Sequence, residues 1–234
     1  MPKQPITKQP IKETEEPPPK SDSEIKEITA ESMSKAKAAI AVNLQPIQRK
    51  TVSIRIHGDS LIAHAWGPKA IKEMLTNQQR SKEEKKIAKQ NREKKDPVAD
   101  YEGARYLHNG KDVFPSTAFK KAMVDAGFML GIPRPVIRAA IFVVGEFIEI
   151  ETKEKPIMRE DPVRVGPFNK READLRYRPE YIEWSATLRI QYREDMFTAE
   201  KVAALVQNAG FSIGVGEWRP QKEGQHGRFE MVNE

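Results

Sequence analysis

The chain has 234 residues, 38% of them hydrophobic and 32% charged, with a net charge of +6 and a pI near 9.3. That lean composition places part of the chain outside any core, and the basic balance favours a polyanionic partner, although surplus lysine also serves solubility. The lack of cysteine excludes disulfides, thiolate metal sites and cysteine catalysis.

Residues 1–48 read as a disordered arm. Prolines at 2, 5, 10 and 17–19 alternate with mixed charge and no apolar period, so the segment buries too little surface to offset its ordering entropy. It is a tether, or an arm that orders on a neighbouring subunit. No run approaches the ~20 apolar residues of a membrane helix, and the polar start is no secretory signal. We expect a cytoplasmic protein, or one acting in a host cytoplasm.

Thr51–His57 alternates, with Val52, Ile54 and Ile56 on one side, the period of a half-buried strand. Leu61–Trp66 continues it after a kink expected at Gly58. A charged segment from Lys69 to about Lys95 reads as a solvated, basic helix inserted into the domain. Phe114-Pro115-Ser116-Thr117 starts a helix with a hydroxyl cap at Ser116 or Thr117. Phe119, Ala122, Met123 and Ala126 form its stripe, Gly127 or Gly131 ends it, and Pro133 and Pro135 block any continuation. Ala139–Val144 is apolar on both faces, the pattern of a central strand.

After the charged stretch 159–178, Ile182–Arg193 alternates cleanly. Trp184, Ala186, Leu188, Ile190 and Tyr192 face the core, and Arg189 and Arg193 face away. Asp195 and Thr198 introduce a second helix with the stripe Val202, Leu205, Val206 and Ala209, closed by Gly210. A glycine-rich loop leads to a last strand carrying Phe229 and Met231. The order strand, helix, strand, strand, helix, strand predicts an α+β fold with a ferredoxin-like βαββαβ core over 49–232. It has a helical insertion after strand 1 (67–113) and a basic hairpin insertion between strands 2 and 3 (152–181).

Chemistry is sparse. The four histidines lack ligand spacing and no HExxH pattern occurs, so neither metal nor cofactor is expected. The aspartates sit at loops or kinks, where carboxylates are ordinary, and nothing in the pattern pairs two of them. The glycines form neither a Walker loop nor a Rossmann turn. Nucleic-acid binding is the stronger reading. Arg159, Arg164, Lys170, Arg171, Arg176 and Arg178 interleave with Phe168, Tyr177 and Tyr181, and arginine suits phosphates while aromatic rings stack on unpaired bases. The alternative is a flexible charged hairpin. Gly214, Gly216 and Gly227, with Trp218, Arg219 and Arg228 beside them, suit a loop laid against a phosphate backbone.

The glycine loop between the second helix and the last strand, together with the helix start Pro115-Ser116-Thr117-Ala118-Phe119-Lys120, resembles the RAMP superfamily. These are ferredoxin-like RNA-binding proteins that include backbone subunits of CRISPR effector complexes. The two insertions match positions where such subunits carry theirs. The chain departs from the pattern at Glu217, Trp218 and Pro220 and lacks a glycine before Ser116; it also looks like phage proteins. The resemblance implies a non-enzymatic protein that binds single-stranded nucleic acid, RNA rather than DNA, and self-associates along it. Phosphates would meet the glycine loop and the helix start at Ser116, Thr117, Lys120 and Lys121. The alternatives are a phage assembly protein making protein contacts only, and a RAMP-type endoribonuclease.

Overall fold

The computed structural model describes residues 46–66, 68–84, 87, 96–166, 169 and 171–232. Residues 1–45 of the expected arm, Phe168, Lys170 and most of 85–95 lie outside the described residues. Everything below belongs to one unit, Ile47–Glu234.

The frame is built on two long strands. Strand β1 (Arg49–Ile62) pairs antiparallel with β7 (Glu172–Arg193), in register from Arg49 opposite Arg193 to Ile62 opposite Glu180. Strand β4 (Ile141–Val143) adds to the other edge of β7, and β8 (Glu230–Met231) adds to β1. The sheet order is β4-β7-β1-β8 with every neighbour antiparallel. Helix α3 (Ser116–Met129) connects β1 toward β4, and α5 (Ala199–Asn208) connects β7 to β8. This is the ferredoxin-like βαββαβ topology.

The insertion after β1 holds α1 (Pro68–Gln79), α2 (Pro97–Ala104), β2 (Leu107–His108) and β3 (Lys111–Pro115), which pairs with β5 (Phe147–Glu149). It is tied to the sheet through Asp112, which accepts hydrogen bonds from Tyr181 Oη at 2.7 Å and Arg105 Nη2 at 2.7 Å. Strand β6 (Ile157–Val165) forms a hairpin with the first half of β7.

The alternation of β7 builds the core. Trp184, Ala186, Leu188, Ile190 and Tyr192 are all buried against Phe119, Met123, Val202, Leu205 and Val206 of the two helices. Fully burying such side chains contributes roughly 1.5–3 kcal/mol each. Phe119, Trp184 and Phe229 meet edge-on or tilted, with ring centroids 5.9–6.5 Å apart.

Several local expectations change. Strand β1 runs through Gly58 without a break. Glycine is needed there because a Cβ would lie 2.3 Å from the Arg228 carbonyl and 2.6 Å from Trp184 Nε1. Pro115, not a hydroxyl, occupies the cap of α3, and Ser116 is its first residue. Helix α3 passes through the buried Gly127 and stops before Gly131, whose φ is +86°. Pro133 and Pro135 then begin helix α4 (Arg134–Ala140) instead of forbidding one, because proline fits a first helical turn. Ala139 and Ala140 therefore belong to that helix, and β4 is an edge strand with Phe142 exposed. Helix α5 is capped by Thr198, as expected, but it continues past Gly210 in a π-turn over Ala209–Ile213. The close approach of the Phe229 carbonyl, 1.9 Å from where a Cβ would sit, explains Gly210.

Candidate nucleic-acid interface

The glycine loop is a closed piece of fold. Gly214, Gly216 and Gly227 have φ between +68° and +79°, which glycine adopts without penalty. The N–H of Gly214 donates to Ala209, Val215 to Gly227, Glu217 to Ile62, His226 to Trp218 and Gly227 to Ser60, at 2.6–3.1 Å. Those donors face protein carbonyls. A Cβ on Gly227 would lie 1.7 Å from the Val215 carbonyl, and one on Gly216 would lie 2.5 Å from that of Ile62. The close approaches that glycine permits here are to the loop itself and to the end of β1.

The side chains around the loop are also engaged. Trp218 lies beside the guanidinium groups of Arg178 and Arg159, 5.0 and 5.4 Å from its ring centre, and near His226. Arg219 donates to the Gly216 carbonyl and to Gln221. Arg228 is exposed and lies over Phe211, itself 66% exposed. A cavity of about 70 Å³ separates the loop from α3, lined by Ala118, Lys121, Gly214, Gly216, Arg219 and Gln221 among others. It is far smaller than the roughly 300 Å³ of an ordinary ligand pocket.

The helix start is likewise built in. Ser116 is buried and its N–H donates to Glu146, while Thr117 is exposed. Lys120 donates to the Arg138 carbonyl at 3.1 Å and sits 3.8 Å from the centre of the Phe142 ring; burial lowers its pKa. Lys121 pairs with Asp125 at 3.0 Å. Burial alone would raise the Asp125 carboxyl, but hydrogen bonds from Gln221, Lys121 and Arg134 bring it below its usual value.

The hairpin has two unlike faces, because directly opposed residues of antiparallel strands share a face. One face pairs Arg159 with Arg178 and Asp161 with Arg176. Arg178 is 1% exposed and donates to Asp161 at 2.7 and 3.1 Å. Arg159 bridges Asp161 and Glu180, and Glu180 also accepts from Ser60 at 2.6 Å. That network joins the hairpin to the end of β1 and to Trp218. The other face carries Met158, Glu160, Pro162 and Arg164 opposite Pro179, Tyr177, Leu175 and Ala173, with Met158 and Leu175 exposed.

The sheet face opposite the core is polar and open to solvent. Thr51, Ser53, Thr187 and Arg189 are exposed, and Arg55, His57, Ser185 and Gln191 are half-buried. Arg189 stands opposite Ser53, and Phe142 opposite Gln191 on the neighbouring strand. Arg193 pairs with Asp195, and Arg55 with Glu151 at 2.6 Å. Among the described residues, Arg164, Arg176 and Arg189 are the expected interface arginines that make no ion pair with a carboxylate and lie on the hairpin or this face.

Sequence reasoning missed two features of this face. Phe142 is exposed on the face that carries Arg189 because its strand is an edge. His57, Asp59 and Glu183 are gathered with their ligand atoms all within 4.8 Å of one another. His57 and Asp59, two apart on a strand, carry a signal for one shared face; Glu183 needs the β1–β7 register to be found.

No protein-family model and no curated protein matches the chain. Among solved structures it is similar to a chain of the type III-B Cmr-beta complex bound to cognate target RNA, at 9% identity and a TM-score of 0.47, covering 92% of this chain and 67% of that one. It is also similar to Cmr6 from Pyrococcus furiosus, at 12% identity and a TM-score of 0.42, covering 80% and 100%. The topology rests on the strand pairing above and not on these likenesses.

Proposed function

We propose that this chain binds single-stranded nucleic acid, RNA in preference to DNA, on the uncovered face of its sheet and along the β6–β7 hairpin. The observation that carries the reading is Arg189: exposed, without a carboxylate partner, on a polar sheet face whose edge strand also exposes Phe142. A free cation and an exposed aromatic ring on one open sheet face suit a phosphate and a stacked base. Arg164, exposed toward the hairpin tip, extends the contact, and the net charge of +6 supplies attraction at a distance. The preference for RNA follows from the resemblance of the glycine loop and helix start to the RAMP superfamily. In this reading the glycine loop supports the interface by fixing the end of β1, and phosphates do not enter it.

The protein works without catalysis and in the cytoplasm. Copies assemble side by side along the ligand, and the exposed apolar face of the hairpin at Met158 and Leu175 is their contact. Among the described residues, no helix is long and apolar enough to cross a membrane. The test is purification of the full chain followed by filter binding to an unstructured RNA and to the matching DNA. Retention of RNA at lower protein concentration than DNA supports the reading; retention of neither refutes it and favours an assembly protein that makes protein contacts only.

A further inference from the structure

His57, Asp59 and Glu183 have no part in the nucleic-acid reading. His57 and Asp59 lie on the same side of β1, two residues apart, and Glu183 comes from β7, between the paired positions Trp184 opposite Gly58 and Ile182 opposite Ser60. We propose that these three side chains bind a divalent transition-metal ion, through His57 Nε2 and one carboxylate oxygen each from Asp59 and Glu183.

Distance supports this first. Bonds of about 2.0–2.2 Å to one ion place ligand atoms roughly 3–3.5 Å apart. His57 Nε2 and Glu183 Oε2 are already 3.7 Å apart, and all three ligand atoms lie within 4.8 Å. Both carboxylates are exposed, so side-chain rotation covers the remainder.

Charge is an independent argument. The chain is basic, and the neighbouring carboxylates take a cation each: Glu151 takes Arg55, Asp161 takes Arg178 and Glu180 takes Arg159. Among the described residues, Asp59 has no ion-pair partner and Glu183 has only His57. Two carboxylates and an imidazole thus share one small volume, and no described lysine or arginine pairs with either carboxylate. A dipositive ion supplies the missing charge.

Orientation is the third. Ser185 Oγ lies 3.5 Å from His57 Nδ1, on the ring nitrogen away from Glu183. A polar partner on that nitrogen holds the ring and leaves Nε2 for a metal. Ligands carried on paired strands keep their spacing better than ligands on loops. One imidazole and two carboxylates suit Zn²⁺ or Mn²⁺ and not a soft ion such as Cu⁺. Three protein ligands leave positions open for water.

The experiment is calorimetric titration of the chelator-stripped full chain with zinc chloride and, separately, manganese chloride. We expect one ion per chain, with affinity at least about tenfold weaker in His57→Ala and in Glu183→Gln and unchanged in His108→Ala. Visible absorption of the Co²⁺-loaded chain gives a second readout, and its band should vanish in His57→Ala. If His57→Ala fails to fold, Asp59→Asn, at an exposed position, decides by the same criterion. No binding by the wild type, or equal affinity in the wild type and the variants, overturns the proposal.

Discussion

The glycine loop and the outer face of β1 and β7 make an instructive pair. The loop is conspicuous in sequence, yet the N–H groups of Gly214, Val215, Glu217 and Gly227 and the space its glycines leave are spent on the fold, against Ile62, Ser60 and nearby carbonyls. The strand face is quiet in sequence, a run of alternating polar residues, yet it leaves Arg189 without an acidic partner and gathers His57, Asp59 and Glu183. Glycine spacing reports close backbone approach and does not say to what. An exposed side chain with an uncompensated charge reports something still to be bound.

The comparison predicts that substitutions at the loop and its ionic anchor cost stability, whereas those on the strand face cost binding. The largest effect is expected from Asp161→Ala, which leaves Arg178, at 1% exposure, with only the longer 3.8 Å pair to Glu217. Loss of one member of a buried ion pair costs about 3–5 kcal/mol, readable by urea denaturation. Next comes Gly227→Ala, where a positive φ and a carbonyl 1.7 Å from the new Cβ combine to about 3 kcal/mol or more, seen as a lower melting temperature. Arg189→Ala should leave stability within ~0.5 kcal/mol while weakening nucleic-acid binding and reducing its salt slope by about 1.

The smallest effect is one of pH. Burial foremost, with the Arg176 charge behind it, lowers the pKa of His64 below 6.5, and its Nδ1 is buried without a partner. The folded state therefore holds His64 neutral at pH values where the unfolded chain protonates it. Its contribution to stability is complete above about pH 6.5 and is lost as pH falls through the folded value. Denaturation midpoints at pH 8 and pH 5.5 should differ in that direction, and His64→Ala should shrink the difference.

Much of the fold was legible because it depends on periodicity. The core face of β7 from Trp184 to Tyr192 and the stripe Val202, Leu205, Val206 and Ala209 are where alternation and the 3.6-residue period place them. The errors fall where one residue type serves two purposes. Proline, read as a stop after α3, instead begins α4; glycine follows a helix end at Gly131 and makes room for a carbonyl at Gly58, Gly210 and Gly227. The site was less legible, because which arginines remain available depends on partners distant in sequence. Arg178 and Asp161 are 17 positions apart and Arg55 and Glu151 are 96 apart. Glu183 joins His57, 126 positions earlier, only through the β1–β7 pairing.

The most direct test is the salt dependence of RNA binding by the wild type, Arg189→Ala and a loop-surface variant, Arg228→Ala, measured by filter binding at two salt concentrations. Wild-type affinity should fall steeply with salt, as release of condensed counterions requires. Arg189→Ala should bind more weakly with a shallower slope, and Arg228→Ala should follow the wild type. Salt-insensitive binding, or a loss confined to Arg228→Ala, would contradict the assignment of the interface to the strand face.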